Sequence, residues 1–421
     1  MEKPRRGGPL PIIILGVFFF IFGFVTWLNG TLIPYLKIAC ELESDLKANL
    51  VAFAFYISYF VMALPSSWVL ERTGFKKGMM LGLVVMAVGA LVFIPAARTR
   101  EYGLFLGGLF VIGTGLSLLQ TAANPYVTII GPMESAAKRI SIMGICNKVA
   151  GVLAPIALGA VVLHDADLLE SELLSLVGPM REARLDELAA RVIMPYSIMA
   201  GVLLGLAFLV RFSPLPEIEA ETGERTQGEE VRHREVLRHP RLMLGVLALF
   251  LYVGVEVIAG DTIGRYAQTQ GVPLSEAKHF TSYTLAAMVI GYLLGIVAIP
   301  KWISQRQALA GSAITGVVLS VAALLLTGKA SVLAIALLGL ANALVWPAIW
   351  PLALEGLGRL TKTGSALLIM AIAGGALLPL LYGGLADLPS IGNRYAYIVL
   401  VPSYLFILYY ALTGRERAGT A

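Results

Sequence analysis

The chain has 421 residues, 57% of them hydrophobic and 14% charged, with a formal net charge of +5 and a mean hydropathy of +0.80. Soluble domains are about half apolar and a quarter charged, so two or three water-soluble domains are excluded. The length instead holds about twelve membrane spans of roughly 20 residues each. The basic residues are scattered over short segments between apolar runs, which fits loops beside a membrane and excludes a nucleic-acid-binding face.

Apolar windows predict spans at roughly 11–36, 47–70, 78–97, 102–130, 140–163 and 191–211, and then 242–264, 279–300, 307–327, 331–357, 364–386 and 394–413. The basic start Met1 to Arg6 resembles a signal peptide. The following stretch is too long for a signal h-region and lacks a cleavage site, so it reads as a retained first helix. Pro214 to Pro240 is rich in Glu and Arg and has no apolar periodicity, which makes it the linker between two halves. The expected organisation is a six-helix bundle over 1–212, a linker over 213–240 and a second six-helix bundle over 241–421.

Topology follows from where Lys and Arg fall. The side holding the N-terminus carries 20 of them and the other side 11, so both termini and the linker are expected in the cytoplasm. The large loop from His164 to Ala190, on the other side, is acid-rich. One basic residue belongs to neither count, because Lys148 lies in mid-span.

Internal repetition supports two pseudo-symmetric halves. Gly151, Leu153, Pro155 and Gly159 in the fifth span match Gly375, Leu377, Pro379 and Gly383 in the eleventh at a constant offset of 224. Six spans separate them, as duplication of a six-helix unit requires.

The chain contains no phosphate-cradling Gly-x-x-x-x-Gly-Lys-Ser/Thr loop, no His-Glu-x-x-His helix and no Gly-x-Ser-x-Gly elbow. These absences argue against an ATP-driven pump, an intramembrane hydrolase and an enzyme of any such class. Cys40 and Cys146 imply no disulfide framework, and no metal site is expected.

Between the second and third spans the chain reads Ser67-Trp-Val-Leu-Glu71-Arg72-Thr-Gly74-Phe-Lys76-Lys77-Gly78. This resembles the cytoplasmic loop signature of the major facilitator superfamily, with Glu71 where Asp is usual. Glu71 and Arg72 are the expected conformational gate. Leu28-Asn29-Gly30-Thr31-Leu32-Ile33-Pro34, Gln120-Thr-Ala-Ala-Asn124-Pro125-Tyr126, Arg139 leading to Asn147, Tyr252-Val-Gly-Val-Glu256, and Gly339-Leu-Ala-Asn342 are similar to the fucose and glucose/galactose cation symporter family. The likeness covers most of the chain except the linker and the acidic loop.

The resemblance implies an all-α major facilitator fold in a bacterial inner membrane, as a monomer. It also implies secondary transport of a hexose by alternating access, with H+ or Na+ as coupling ion or by uniport. In the fucose members it implies an Asp after the first-span Asn and an acid where Gln120 stands. Here those positions are Gly30 and Gln120, so that proton device does not carry over.

Polar residues inside spans are functional candidates, because an ionisable group in hydrocarbon costs several kcal/mol unless it faces a partner or water. Lys148 is the sharpest, since its repeat counterpart is Ile372 and the scaffold does not need the charge. Glu256 and Asp261 are the acids expected to couple with it. Asn29, Gln120, Asn124, Asn147 and Asn342 supply amides of the kind that read sugar hydroxyls, and Trp346 offers an indole face to a pyranose. Two rivals are kept in view: a sugar acid or amino sugar docking on Lys148, and a non-transporting receptor on the same scaffold.

Overall fold

The computed structural model describes residues 9–129, 136–213, 238–299, 301–357 and 360–413, and all regular structure among them is helical. Twelve helical stretches are long and apolar enough to cross a membrane, from Ile12–Ala39 to Gly392–Leu412. Their outer faces are apolar in a way water would not tolerate: Phe208, Leu209, Leu294, Val297 and Val318 are all exposed. Such surface is stable only in lipid. The expected linker falls largely on 214–237, outside the described residues.

In chain order the helices are α1 (Pro9–Trp27), α2 (Asn29–Ala39), α3 (Asp45–Thr99), α4 (Tyr102–Ile129), α5 (Ala136–Val162), α6 (Ala166–Ser175), α7 (Pro179–Ala190) and α8 (Ile193–Phe212). They continue as α9 (Pro240–Asp261), α10 (Ile263–Thr269), α11 (Leu274–Ala277), α12 (Phe280–Ala298), α13 (Gln305–Leu325), α14 (Gly328–Asn342) and α15 (Val345–Leu354). The last are α16 (Thr361–Met370), α17 (Gly374–Ala386), α18 (Gly392–Ala396) and α19 (Leu400–Leu412).

The chain forms two compact units. The first comprises Met1–Glu41 with Val61–Thr222, and the second Leu42–Phe60 with Gly223–Ala421. Helix α3 therefore begins in the second unit and ends in the first. It contains a sharp bend at Gly74, whose φ of 74° and ψ of 171° suit glycine alone. That bend lies at the start of the third membrane-crossing stretch, Arg72–Thr99.

In the first unit α1 packs along α5. The close approach is made by Gly23, where an added Cβ would lie 1.8 Å from the backbone oxygen of Asn147. The acidic loop is folded, with α6 and α7 forming a cap. Asp165 anchors it, accepting from Arg191 Nη2 at 2.7 Å and Arg184 Nη2 at 2.9 Å. These guanidiniums, Arg191 above all, hold the Asp165 carboxyl well below the usual carboxylate range. Arg100 adds an ion pair to Glu182 at 2.7 Å, and Glu41 pairs with Arg181. Among the described residues, Glu41 and Arg100 are also the two non-glycine residues with positive φ, at 51° and 49°. Backbone strain is thus stored where the cap is tied down.

In the second unit α9 is central, packing against α17, α15 and α19. Gly374 allows this, because a Cβ there would lie 1.8 Å from the Phe250 backbone oxygen. The start of α3 is held in this unit by Asp387, whose carboxylate accepts from the backbone N–H groups of Asp45 (2.6 Å) and Leu46 (2.9 Å). Two of the orphan donors of a helix start are thereby satisfied from 342 residues away. Arg265 pairs with Asp45 at 3.3 Å. Gly383 gives the room, since a Cβ there would meet the Asp45 carbonyl and the Asn49 amide at 2.9 Å.

Candidate functional site

Each unit holds its own cluster of polar and aromatic groups. In the first unit the cluster grows out of the Gly23 crossing. Because α1 and α5 touch backbone to backbone there, Asn147 and Lys148 on α5 lie beside the last turn of α1. Trp27 stands four residues after Gly23, on the same helix face. Its ring lies 4.7 Å from Lys148 Nζ, a cation–π contact with both residues buried. Such a contact contributes about 2 kcal/mol when desolvated.

Leu28, between α1 and α2, keeps helical backbone angles (φ −61°, ψ −27°), so Trp27 and Asn29 belong to one continuous span. Pro34 within α2 has no N–H to offer the Gly30 carbonyl, so hydrogen bonding is already thinned along this turn. Thr31 Oγ1 donates to the Pro155 carbonyl of α5 at 3.3 Å. Asn29 is 1% exposed, and neither its amide nitrogen nor its oxygen has a hydrogen-bond partner. Trp27 Nε1 is likewise unpartnered. Buried polar atoms left unmatched cost about 1–3 kcal/mol each. Three such atoms within three residues, two donors and an acceptor by chemistry, could each pair with a hydroxyl group.

Gln120 and Asn147 are half-buried in the same unit. The Asn124 side chain lies outside the described residues, as does that of Glu71. Arg72 is exposed and its guanidinium sits 3.7 Å over the Trp68 ring. Lys76, four residues further on, donates to the Ser213 carbonyl at 2.7 Å. Arg139 is buried and donates from Nε to the Val127 carbonyl, tying α5 to the end of α4.

In the second unit Glu256 and Asp261 both lie on α9 and are buried. Glu256 is within electrostatic reach of Tyr252, Tyr292 and Tyr404. Tyr252 approaches Trp346 with ring centroids 6.4 Å apart, and Trp346 stacks on Trp350 at 5.4 Å. An acid, tyrosines and stacked indoles are thus gathered around one stretch of α9. Aromatic faces suit the C–H face of a pyranose, and the phenols and carboxyl suit its hydroxyls. Asn342 is fully buried; its oxygen accepts from Tyr404 at 2.7 Å while its amide nitrogen has no partner. The structure thus brings Asn29 and Lys148 together in one cluster, and Glu256 and Trp346 in the other.

Tyr56 and Tyr404 carried no signal in the sequence. A tyrosine in an apolar run reads as ordinary core, and only the grouping of 42–60 with the second unit places Tyr56 within reach of Asp261. Among the described residues no group of His, Cys, Asp and Glu could hold a metal ion. Cys40 and Cys146 are both free thiols.

Comparison with known proteins gives a consistent picture. A model of the Major Facilitator Superfamily matches residues 15–379. The glucose/galactose transporter of Brucella abortus biovar 1 (strain 9-941) is 34% identical over 408 residues, 96% of this chain and 93% of that protein. The L-fucose-proton symporter of Escherichia coli (strain K12) is 28% identical over 419 residues, 98% of this chain and 94% of that protein. The crystal structure of FucP in the outward conformation superposes with a TM-score of 0.74 at 26% identity, covering 98% of this chain and 99% of that one.

Proposed function

We propose that this chain, which belongs to the Major Facilitator Superfamily, carries a neutral hexose of the glucose or galactose type across a bacterial inner membrane. It is a sugar transporter and not an enzyme. The observation that carries the substrate class is the set of unfilled hydrogen-bonding atoms on Asn29 and Trp27. A sugar hydroxyl both donates and accepts, and so matches a free amide and a free indole N–H without fixing a charge. Gln120, Asn147, Asn124 and Lys148 extend that set in the first unit. In the second unit by itself we assign Glu256, Trp346 and Asn342 to the same work, with Tyr252 beside them.

We read the transport as coupled to protons, in line with the L-fucose-proton symporter among its relatives. Lys148, Glu256 and Asp261 are the charged groups available for that work, and Glu71 and Arg72 the gate. We assign both termini and the segment 213–240 to the cytoplasmic side and read the protein as a monomer of two sequence halves, 1–212 and 241–421, with 42–60 of the first half packed among the later helices. A second reading is favoured by one feature: Lys148 could dock the carboxylate of a sugar acid. Uptake of labelled galactose into proteoliposomes, competed by unlabelled glucose, galactose and hexuronate, separates the two. Competition by glucose and galactose alone supports the hexose reading, and competition by hexuronate alone overturns it.

A further inference from the structure

Asp261 occupies an unusual environment. It is 0% exposed, and neither carboxylate oxygen has a hydrogen-bond partner. The donors around it are committed elsewhere. Thr262 donates to the Ile258 carbonyl at 2.6 Å and bonds Tyr397 at 2.9 Å. Thr281 of α12 donates to the Gly260 carbonyl at 2.7 Å, and Thr284 to that of Ala259 at 3.4 Å. Arg265, one helical turn further on, is held by Asp45. Asp261 is also the last residue of α9, and the carbonyls of the turn before it are already taken by Thr262, Thr281 and Thr284.

The charged and titratable groups near it on every packed element are few. Glu256 on the same helix and Tyr56 from α3 lie within electrostatic reach, and both would oppose an anion at Asp261 or be indifferent to it. Tyr252 and Tyr292 face Glu256 instead. Tyr382 of α17 faces Tyr397 and Asp45, and Tyr404 of α19 bonds Asn342. Of the described cations, Arg265 on the following turn pairs with Asp45, and Arg394 lies within electrostatic reach of Tyr266.

We propose that Asp261 is the proton-carrying group of the transport cycle: this packing closes around it only when it is the neutral acid. An anionic carboxylate stripped of water and of donors is strongly disfavoured in such a place. Binding of a proton from water to a carboxylate oxygen is then the condition for closing the site, and reopening to water on the other side returns the proton. No other bond forms or breaks. The inference rests on the proton-coupled reading above and gives it an address.

The test uses the full-length protein in proteoliposomes with a pH dye in the lumen. An inward gradient of about one pH unit can drive at most about tenfold accumulation of a neutral sugar at one proton per sugar. The parent protein is expected to approach that limit with galactose and to show sugar-evoked acidification. Asp261→Asn is expected to accumulate nothing beyond equilibrium and to lose the acidification, while labelled-galactose exchange without a gradient persists. Asp261→Glu is expected to restore part of the acidification. Acidification at parental amplitude in Asp261→Asn overturns the assignment alone. Absence of acidification in the parent overturns the proton-coupled reading and the assignment with it. Should Asp261→Asn fail to fold, carbodiimide labelling of the unaltered protein decides, because the reagent attacks buried neutral carboxyl groups. Labelling of Asp261 that falls as pH rises supports the proposal, and no labelling at any pH overturns it.

Discussion

The crossing of α1 with α5 and the crossing of α9 with α17 are built alike but carry ionisable groups of opposite kind. Each depends on one glycine, Gly23 or Gly374, whose Cβ would lie 1.8 Å from a backbone oxygen of the partner helix. In the first unit the glycine sits on the leading helix of the pair, and in the second on the trailing one. The first crossing supports a buried lysine over an indole, the second helix pair a buried aspartate with no partner. The two helix pairs share a backbone-close crossing, made by a glycine on opposite members of the pair, and differ in their polar chemistry. Lys148 has Ile372 at its repeat position, so the cation was gained or lost on one side only.

The largest expected effect tests the shared part of that comparison. Gly23→Leu and Gly374→Leu each force two helices apart at backbone contact, and overpacking of this kind costs about 3 kcal/mol. Both variants should show a thermal midpoint well below the parent in detergent, by similar amounts. A large fall for one and none for the other would show that the two crossings do not play equivalent parts.

Next comes a difference between the units. The first carries the α6–α7 cap on Asp165, whereas in the second the segment between α17 and α18 is short and Asp387 is spent on the start of α3. The Asp165 carboxyl is depressed by Arg191, so it stabilises the fold above the ordinary carboxylate value near 4. That stability is lost as pH falls through the lower folded value. Asp165→Asn should therefore cost about 2 kcal/mol at neutral pH. The difference from the parent should shrink as the solution is acidified below pH ~4. A constant difference across that range would mean that the cap is held by packing and not by charge.

Much of this arrangement was legible in the sequence and some was not, for identifiable reasons. The twelve spans were readable because each needs an unbroken apolar run, and the repeat was readable because Gly-x-x-x-Pro leaves a fixed spacing. Lys148 stood out because hydrocarbon makes any charge conspicuous. The acidic loop gave no hint of two helices, since its order comes from Arg184 and Arg191 converging on Asp165 after folding. The pairing of Trp27 with Lys148 required the Gly23 contact to bring α5 alongside. The packing of 42–60 with the later helices depends on Asp387 and Gly383, partners more than 300 residues away that no local pattern announces.

A smaller effect sharpens the difference in charge. Lys148→Met keeps the stem's packing and removes the cation over Trp27. If Lys148 positions Trp27 and a sugar together, kcat/KM for galactose uptake should fall about tenfold, equivalent to about 1.4 kcal/mol. The fold should be little affected, because a Met fits the same space. Unchanged initial rates would reduce Lys148 to a structural residue and leave the chemistry to the second unit.

The smallest effect concerns Asn342, which sequence reading grouped with the sugar-binding amides. Its oxygen is occupied by the Tyr404 hydroxyl at 2.7 Å, and both residues are buried. Removing that hydroxyl in Tyr404→Phe leaves the Asn342 oxygen unmatched, which costs about 1 kcal/mol. If the bond serves only to tie α14 to α19, the variant should lose a few degrees of thermal midpoint and keep its galactose KM. If Asn342 turns its amide to the sugar, losing the hydroxyl frees its orientation, and KM should rise along with the loss of stability. The two outcomes separate because packing acts on the folded state as a whole, whereas an amide that reads a hydroxyl acts on affinity. Stability and KM measured on the same preparation therefore decide whether Asn342 belongs with Asn29, whose amide is unpartnered, or with the scaffold that holds Trp346 in place.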